Sequence, residues 1–238
     1  MADISVQNLT KYYGDKLILQ DITFDVQPGE KVAILGANGA GKTTLLHILT
    51  GRLPYDSGHV SIGQGRTAGV IDQMPDFPTE STVEDILRLA FHESDEIIAA
   101  MDELTDEMTR RPDDDSLLRR YALLETRLDA LGGYNRDYEI DRVCNGLEIP
   151  AEMRAQRFAL LSGGEKTRIN LARIILEQPD VLLLDEPTNH LDMDAVDWLG
   201  RYLEGYRGTV LIISHDRWFI DQCCDRVIEI HDCTCDFY

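Results

Sequence analysis

The segment Gly36-Ala37-Asn38-Gly39-Ala40-Gly41-Lys42-Thr43 constrains this chain more than any other. It follows the compact apolar run Val32-Ala33-Ile34-Leu35, which reads as a strand. It precedes a stretch from Gly41 to about Thr50 that reads as a helix stopped by Gly51. Glycines at these spacings let backbone N–H groups approach an anion, and the start of a helix adds favourable partial charge. Lys42 is placed to bridge the β- and γ-phosphates of a polyphosphate. The Thr43 hydroxyl is a hard oxygen suited to Mg2+, and Thr44 is in reach of the α-phosphate. A strand, this P-loop spacing and a helix in that order give the pattern its chemical meaning.

A second apolar run, Val181-Leu182-Leu183-Leu184, ends in the carboxylates Asp185 and Glu186. Asp185, at a strand's carboxyl end, is the residue expected to hold Mg2+ through water. Glu186 precedes Pro187, which disfavours helical geometry and predicts an extended residue pointing at the site, where its carboxylate would orient an attacking water. Gln73 and His215 also follow apolar strands, and ligands gather at the carboxyl ends of parallel strands. Each is a weak signal alone. Leu161-Ser162-Gly163-Gly164-Glu165 opens an amphipathic helix and is a second glycine-rich helix start. Gly164-Glu-Lys-Thr167 lacks the upstream glycines that would make it a second P-loop.

Around these segments the pattern divides. Ile4, Val6, Leu9, then Ile22, Phe24 and Val26 alternate with polar residues and read as antiparallel strands; Val60–Ile62 and Ala68–Ile71 are further short strands. From about Thr79 to Leu160 the period becomes helical. Ile97, Met101, Leu104 and Met108 face Leu117, Tyr121, Leu124, Leu128 and Leu131 as the seam of a hairpin over 93–131, with Asp113–Asp115 as cap and Gly132-Gly133 as stop. That hairpin carries 12 acidic and 5 basic residues. Helices 164–177 and 195–206 then alternate with strands 181–184, 209–213 and 226–230, as in a parallel sheet buried on both faces. The expected fold is α/β: a P-loop NTPase core with a mostly parallel sheet, an N-terminal antiparallel β-subdomain and an inserted helical subdomain. It forms a single domain over 1–238, with core segments 1–73 and 161–238 and the insertion at 74–160.

With a P-loop, a lysine-free glycine helix start and a two-carboxylate strand in this order, the sequence resembles the ATP-binding cassette superfamily along essentially its whole length. The resemblance implies ATP and Mg2+ as ligands. It makes Gly36–Thr44 the Walker A loop, Gln73 the Q-loop glutamine and a metal-side residue, and Leu161–Glu165 the signature. It makes Val181–Asp185 Walker B, Glu186 the catalytic glutamate, Asn189–Asp192 the D-loop and His215 the switch histidine. Tyr13 matches the aromatic that stacks on adenine, with Tyr12 as the fallback. In this family the P-loop of one cassette and the signature of another enclose one ATP, so Ser162, Gly163 and Gly164 would act on a partner's nucleotide. Asn189-His190-Leu191-Asp192 and Ser214-His215-Asp216-Arg217-Trp218-Phe219 look like the ABC-F group, whose members carry two cassettes and act on the ribosome in translation or antibiotic protection. The 93–131 hairpin would lie where some members carry an arm that touches ribosome or tRNA. The alternative is the ATP-binding subunit of a membrane transporter.

Composition limits partners and compartment. A formal charge of −20 repels bare nucleic acid at long range, so contact with RNA must be local and shape-driven. Cys144, Cys223, Cys224, Cys233 and Cys235 lack zinc spacing and read as reduced thiols. With no apolar run long enough to span a bilayer and no leader at Met1, the expectation is a cytoplasmic protein with no direct membrane insertion. One P-loop and one signature imply a first cassette whose partner is a missing C-terminal half or a second copy.

Overall fold

The computed structural model describes residues 2–71, 77–111, 114–130 and 135–238. The expectations for Gln73, Asp113, Leu131 and Gly132-Gly133 lie outside these residues. Strands β1 (Ile4–Tyr13) and β2 (Lys16–Val26) pair antiparallel in the register Ile4↔Val26, Val6↔Phe24 and Leu9↔Ile22. After β3 (Lys31–Gly36) and α1 (Lys42–Leu49), strand β4 (Ser57–Ile62) adds to the free side of β1, giving a small sheet of order β2-β1-β4. Gly51, at φ +71°, follows the Thr50 cap of α1, as a helix-stopping glycine should.

The chain continues through β5 (Ala68–Ile71), α2 (Val83–Arg88), α3 (His92–Arg110), α4 (Asp115–Ala130), α5 (Arg136–Gly146) and α6 (Ala151–Arg154). Next come α7 (Gly163–Glu177), β6 (Val181–Asp185), α8 (Met193–Glu204), β7 (Thr209–Ile213), α9 (Arg217–Cys223), β8 (Arg226–His231) and β9 (Thr234–Phe237). The main sheet has the order β5-β6-β7-β3-β8-β9, and every pair except β8–β9 is parallel. Strand alternation sends Leu182, Leu184, Val210 and Ile212 to the face covered by α7 and α8. It sends Val181, Leu183, Leu211 and Ile213 to the face covered by α1 and the small sheet. Both faces are therefore dry, which is why these strands are unbroken apolar runs.

Strand β9 was not foreseen. Its residues Thr-Cys-Asp-Phe show no apolar run, and the turn before it is Asp232-Cys233, with φ of +46° and +66°. That two-residue turn closes on the pair His231↔Thr234, a geometry that usually announces itself with Asn-Gly or Asp-Gly. Helix starts move by a residue or two for a local reason: Ser162 caps α7 and Asp192 caps α8, so they begin at Gly163 and Met193.

The helical stretch has two kinds of packing. Val83, Ile86, Leu87, Ile140 and Val143 belong to the same buried cluster as Leu182 and Ile212, so α2 and α5 share the core under the sheet. Ile97, Met101 and Leu128 form a separate cluster with Ile98, Tyr121 and Leu124 between α3 and α4, the seam expected from the spacing. Large-to-small changes should report this difference. Leu183→Ala removes a side chain enclosed on a dry face and should cost about 2–5 kcal/mol. Leu123→Ala, on the exposed side of α4, should stay within about 0.5 kcal/mol. Urea denaturation of the two variants checks this, and equal losses would contradict the packing described.

Candidate functional site

At the carboxyl end of β3 the chain makes a turn that only glycine tolerates at two points. A Cβ on Gly36 (φ +150°) would lie 2.4 Å from the Ile230 carbonyl oxygen, and one on Gly41 (φ +106°) 2.8 Å from Leu19 Cδ2. The loop wraps around Lys42, whose side chain is 7% exposed. Its Nζ donates to the carbonyls of Gly36 at 2.8 Å and Ala37 at 3.1 Å. A buried ammonium needs such partners, and these two fix its position inside the loop.

Beside this loop lies a cleft of about 390 Å3. Asn38, Gly39, Gly41, Lys42, Thr43 and Thr44 form one wall, and Asp185, Glu186 and His215 the other. The Thr43 hydroxyl donates to Asp185 Oδ2 at 2.9 Å, so a hydroxyl from α1 and a carboxylate from β6 share one point. Two hard oxygens from separate rigid elements suit Mg2+. The β6–β7 register sets Asp185 opposite Ile213. The next amide, of Glu186, donates to the Ile213 carbonyl at 2.8 Å. Glu186 is not extended as Pro187 led us to expect. Its φ is +48°, because its N–H is drawn to Ile213 while its carbonyl accepts the Asn189 N–H at 3.1 Å. Left-handed geometry at a non-glycine residue is backbone strain of the sort that functional sites hold. Glu186 Oε1 lies 3.4 Å from His215 Nε2. Asp216 caps α9 by accepting the Phe219 N–H at 3.2 Å, which turns the chain just after His215.

Tyr13, at the tip of the β1–β2 hairpin, lines the cleft and is 49% exposed; Lys11 Nζ sits 5.6 Å from its ring centre. Tyr12, the fallback, is not among the lining residues. Ala37 and Ala40 line a neighbouring depression of about 370 Å3 closed by Ile230–Cys233. Ile18 borders both hollows and went unnoticed in the sequence, where it is one more apolar residue of an alternating strand.

Ser162, Gly163 and Gly164 do not line the cleft. They form the start of α7, where the Ser162 hydroxyl accepts the Glu165 N–H at 3.4 Å and Glu165 Oε2 accepts the Ser162 N–H at 2.7 Å. The sequence signal for this reciprocal cap is Ser-x-x-Glu, which the reading of the segment as a glycine-rich helix start passed over. The Ser162 hydroxyl, then its N–H, holds the Glu165 carboxyl below the usual carboxylate range. Among the described residues no group of three or more His, Cys, Asp and Glu side chains is placed to hold a metal, and no helix is long and apolar enough to cross a membrane.

The family described as ABC transporter matches residues 19–189. The tylosin resistance ATP-binding protein TlrC of Streptomyces fradiae is 38% identical over 232 residues, 96% of this chain and 42% of that protein. ABC transporter F family member 5 of Arabidopsis thaliana is 36% identical, covering 96% of this chain and 34% of its own length. The energy-dependent translational throttle protein EttA of Haemophilus influenzae is 39% identical, covering 90% and 38%. The chain thus spans less than half the length of these relatives. A solved ATP binding subunit of an ABC transporter shares the fold, with a TM-score of 0.68 and 23% identity over 97% of this chain and 87% of that one. The chain belongs to the ABC transporter family of ATP-binding cassettes, as a cassette of the ABC-F type.

Proposed function

We propose that this cassette binds Mg-ATP in the cleft beside Lys42 and hydrolyses it, as one half of a two-cassette ATPase that works on the ribosome. The observation that carries the reading is the convergence of Lys42, Thr43, Asp185, Glu186 and His215 on one cleft from four separate elements and loops. Lys42 and the N–H groups of Gly39–Thr44 bind the phosphates, and Tyr13 offers a ring face to the base. Stacking reads no base edge, so the preference for ATP over GTP follows from the family alone. Thr43 and Asp185 would hold Mg2+, with Gln73 as a further ligand; the ion, when bound, neutralises charge on the phosphoryl oxygens. Glu186 accepts a hydrogen bond from the attacking water and orients it in line with the terminal phosphorus. His215 braces the Glu186 carboxylate.

Ser162, Gly163 and Gly164 are not among the residues that line this cleft, which supports a role on a partner's nucleotide. The partner is a second cassette, either on the remainder of a longer chain or on a second copy. The ribosomal reading takes its support from EttA and TlrC, named for translation and for tylosin resistance, and from the Asn189-His190-Leu191-Asp192 sequence. It places the protein in the cytoplasm, with the α3–α4 hairpin available to ribosome or tRNA.

Glu186→Gln should lower turnover by about 10²–10⁴-fold while ATP still binds, the range lost with a general base. Single-turnover kinetics checks this, and turnover at the parental rate would remove Glu186 from the role. Lys42→Ala should weaken nucleotide binding by about 10–100-fold, the value of its charge-assisted hydrogen bonds. Calorimetric titration giving unchanged affinity would discard the phosphate site. The full-length protein with ATP should sediment with ribosomes; recovery with membranes alone would favour a transporter subunit instead.

A further inference from the structure

Helix α7 carries Arg168 one turn beyond Gly164, on the same face. Its Nη1 donates to the Glu148 carbonyl at 3.2 Å and its Nη2 to the His190 carbonyl at 2.9 Å. One guanidinium thereby ties the signature helix both to the segment after α5 and to the loop after Glu186. Both acceptor residues are strained: Glu148 has φ +51° and His190 φ +68°, conformations that residues with a Cβ seldom adopt. The Arg168 Nε is buried with no hydrogen-bond partner among the described residues, so the guanidinium makes its hydrogen bonds through the two Nη groups.

Independent packing joins the same parts. A Cβ on Gly164 would lie 3.2 Å from His190 Cβ and Cγ, so the signature glycine is where the His190 loop rests on α7. Inside that loop the Asn189 N–H donates to the Glu186 carbonyl at 3.1 Å and the Leu191 N–H to the Thr188 carbonyl at 3.2 Å. The path from Arg168 to the strained Glu186 therefore runs through two turns. Arg168 also faces the carboxyls of Glu148 and Asp192. Their mutual hydrogen bond raises Glu148, and the Ala195 N–H, then Glu148, lowers Asp192.

We propose that Arg168 is a positioning residue for hydrolysis, locking the Asn189–Asp192 loop onto the Ser162–Gly164 helix start and through it holding Glu186 in its left-handed geometry. The inference rests on the reading of Glu186 given above. The two carbonyls belong to different segments and are met by two N–H groups fixed in one plane, which a lysine's point charge cannot reproduce.

The test compares the parental chain with Arg168→Ala and Arg168→Lys. Amide exchange at Asn189 and Leu191 should quicken by about tenfold or more in both variants, the factor carried by one charge-assisted hydrogen bond. Turnover should fall by about tenfold or more, while the Kd for ATP stays within about twofold because the cleft beside Lys42 is untouched. Melting temperature is followed alongside, and if the alanine variant does not fold, the lysine variant carries the comparison. Unchanged exchange at Asn189 and Leu191, parental turnover in either variant, or affinity lost in step with turnover would each overturn the proposal. If Glu186→Gln hydrolyses ATP at the parental rate, the Glu186 reading has failed on its own, and the exchange measurement alone then decides whether Arg168 grips the loop.

Discussion

Parallel pairing of β3, β7 and β6 brings the carboxyl ends of three apolar strands to one edge, and Lys42, Thr43, Asp185, Glu186 and His215 all hang from that register, with Tyr13 and Ile18 added from the small sheet. The strands are held because each buries both faces: Leu182 and Leu184 under α7 and α8, Leu183 and Val181 under α1 and the small sheet. A slip of one residue in β6 would exchange the two faces and carry Asp185 away from Thr43. The 2.9 Å contact between them is therefore a consequence of core packing as much as of local chemistry.

Against this rigid edge, the functional groups sit in conformations that would be unfavourable elsewhere. Gly36 and Gly41 take dihedral angles and approaches that a Cβ would block. Lys42 is nearly buried and donates to two loop carbonyls. Glu186 and His190 adopt left-handed backbones without being glycine, held by the Ile213 carbonyl on one side and Arg168 on the other. Local strain persists where the surroundings over-determine it, and here the surroundings are the sheet edge and α7.

Much of this arrangement is legible in the sequence. The P-loop spacing located the cleft, the two-carboxylate strand its opposite wall, and the four-three alternation the α3–α4 seam, with Ile97, Met101 and Leu128 buried as the spacing requires. Tyr13 rather than Tyr12 lines the cleft, a choice that a strand's two-residue period frames but a bulged hairpin end settles. Strand β9 escaped because its turn is Asp-Cys and its residues are half polar. Arg168 escaped because an arginine on an amphipathic helix reads as a solvated charge until its carbonyl partners, 20 and 22 residues away, are brought to it.

The sequence by itself determined which atoms are available: glycines where backbone must approach, a lysine and a hydroxyl at one helix start, carboxylates at one strand end, a capped glycine helix start elsewhere. Those depend on residue type and on short-range spacing, which a linear string records in full. Only the tertiary structure decided which of them meet. Strand order, the rung that turns Glu186 left-handed, and the separation of Ser162–Gly164 from the cleft all arise from contacts distant in sequence, where burial of apolar faces, and no local preference, selects the arrangement.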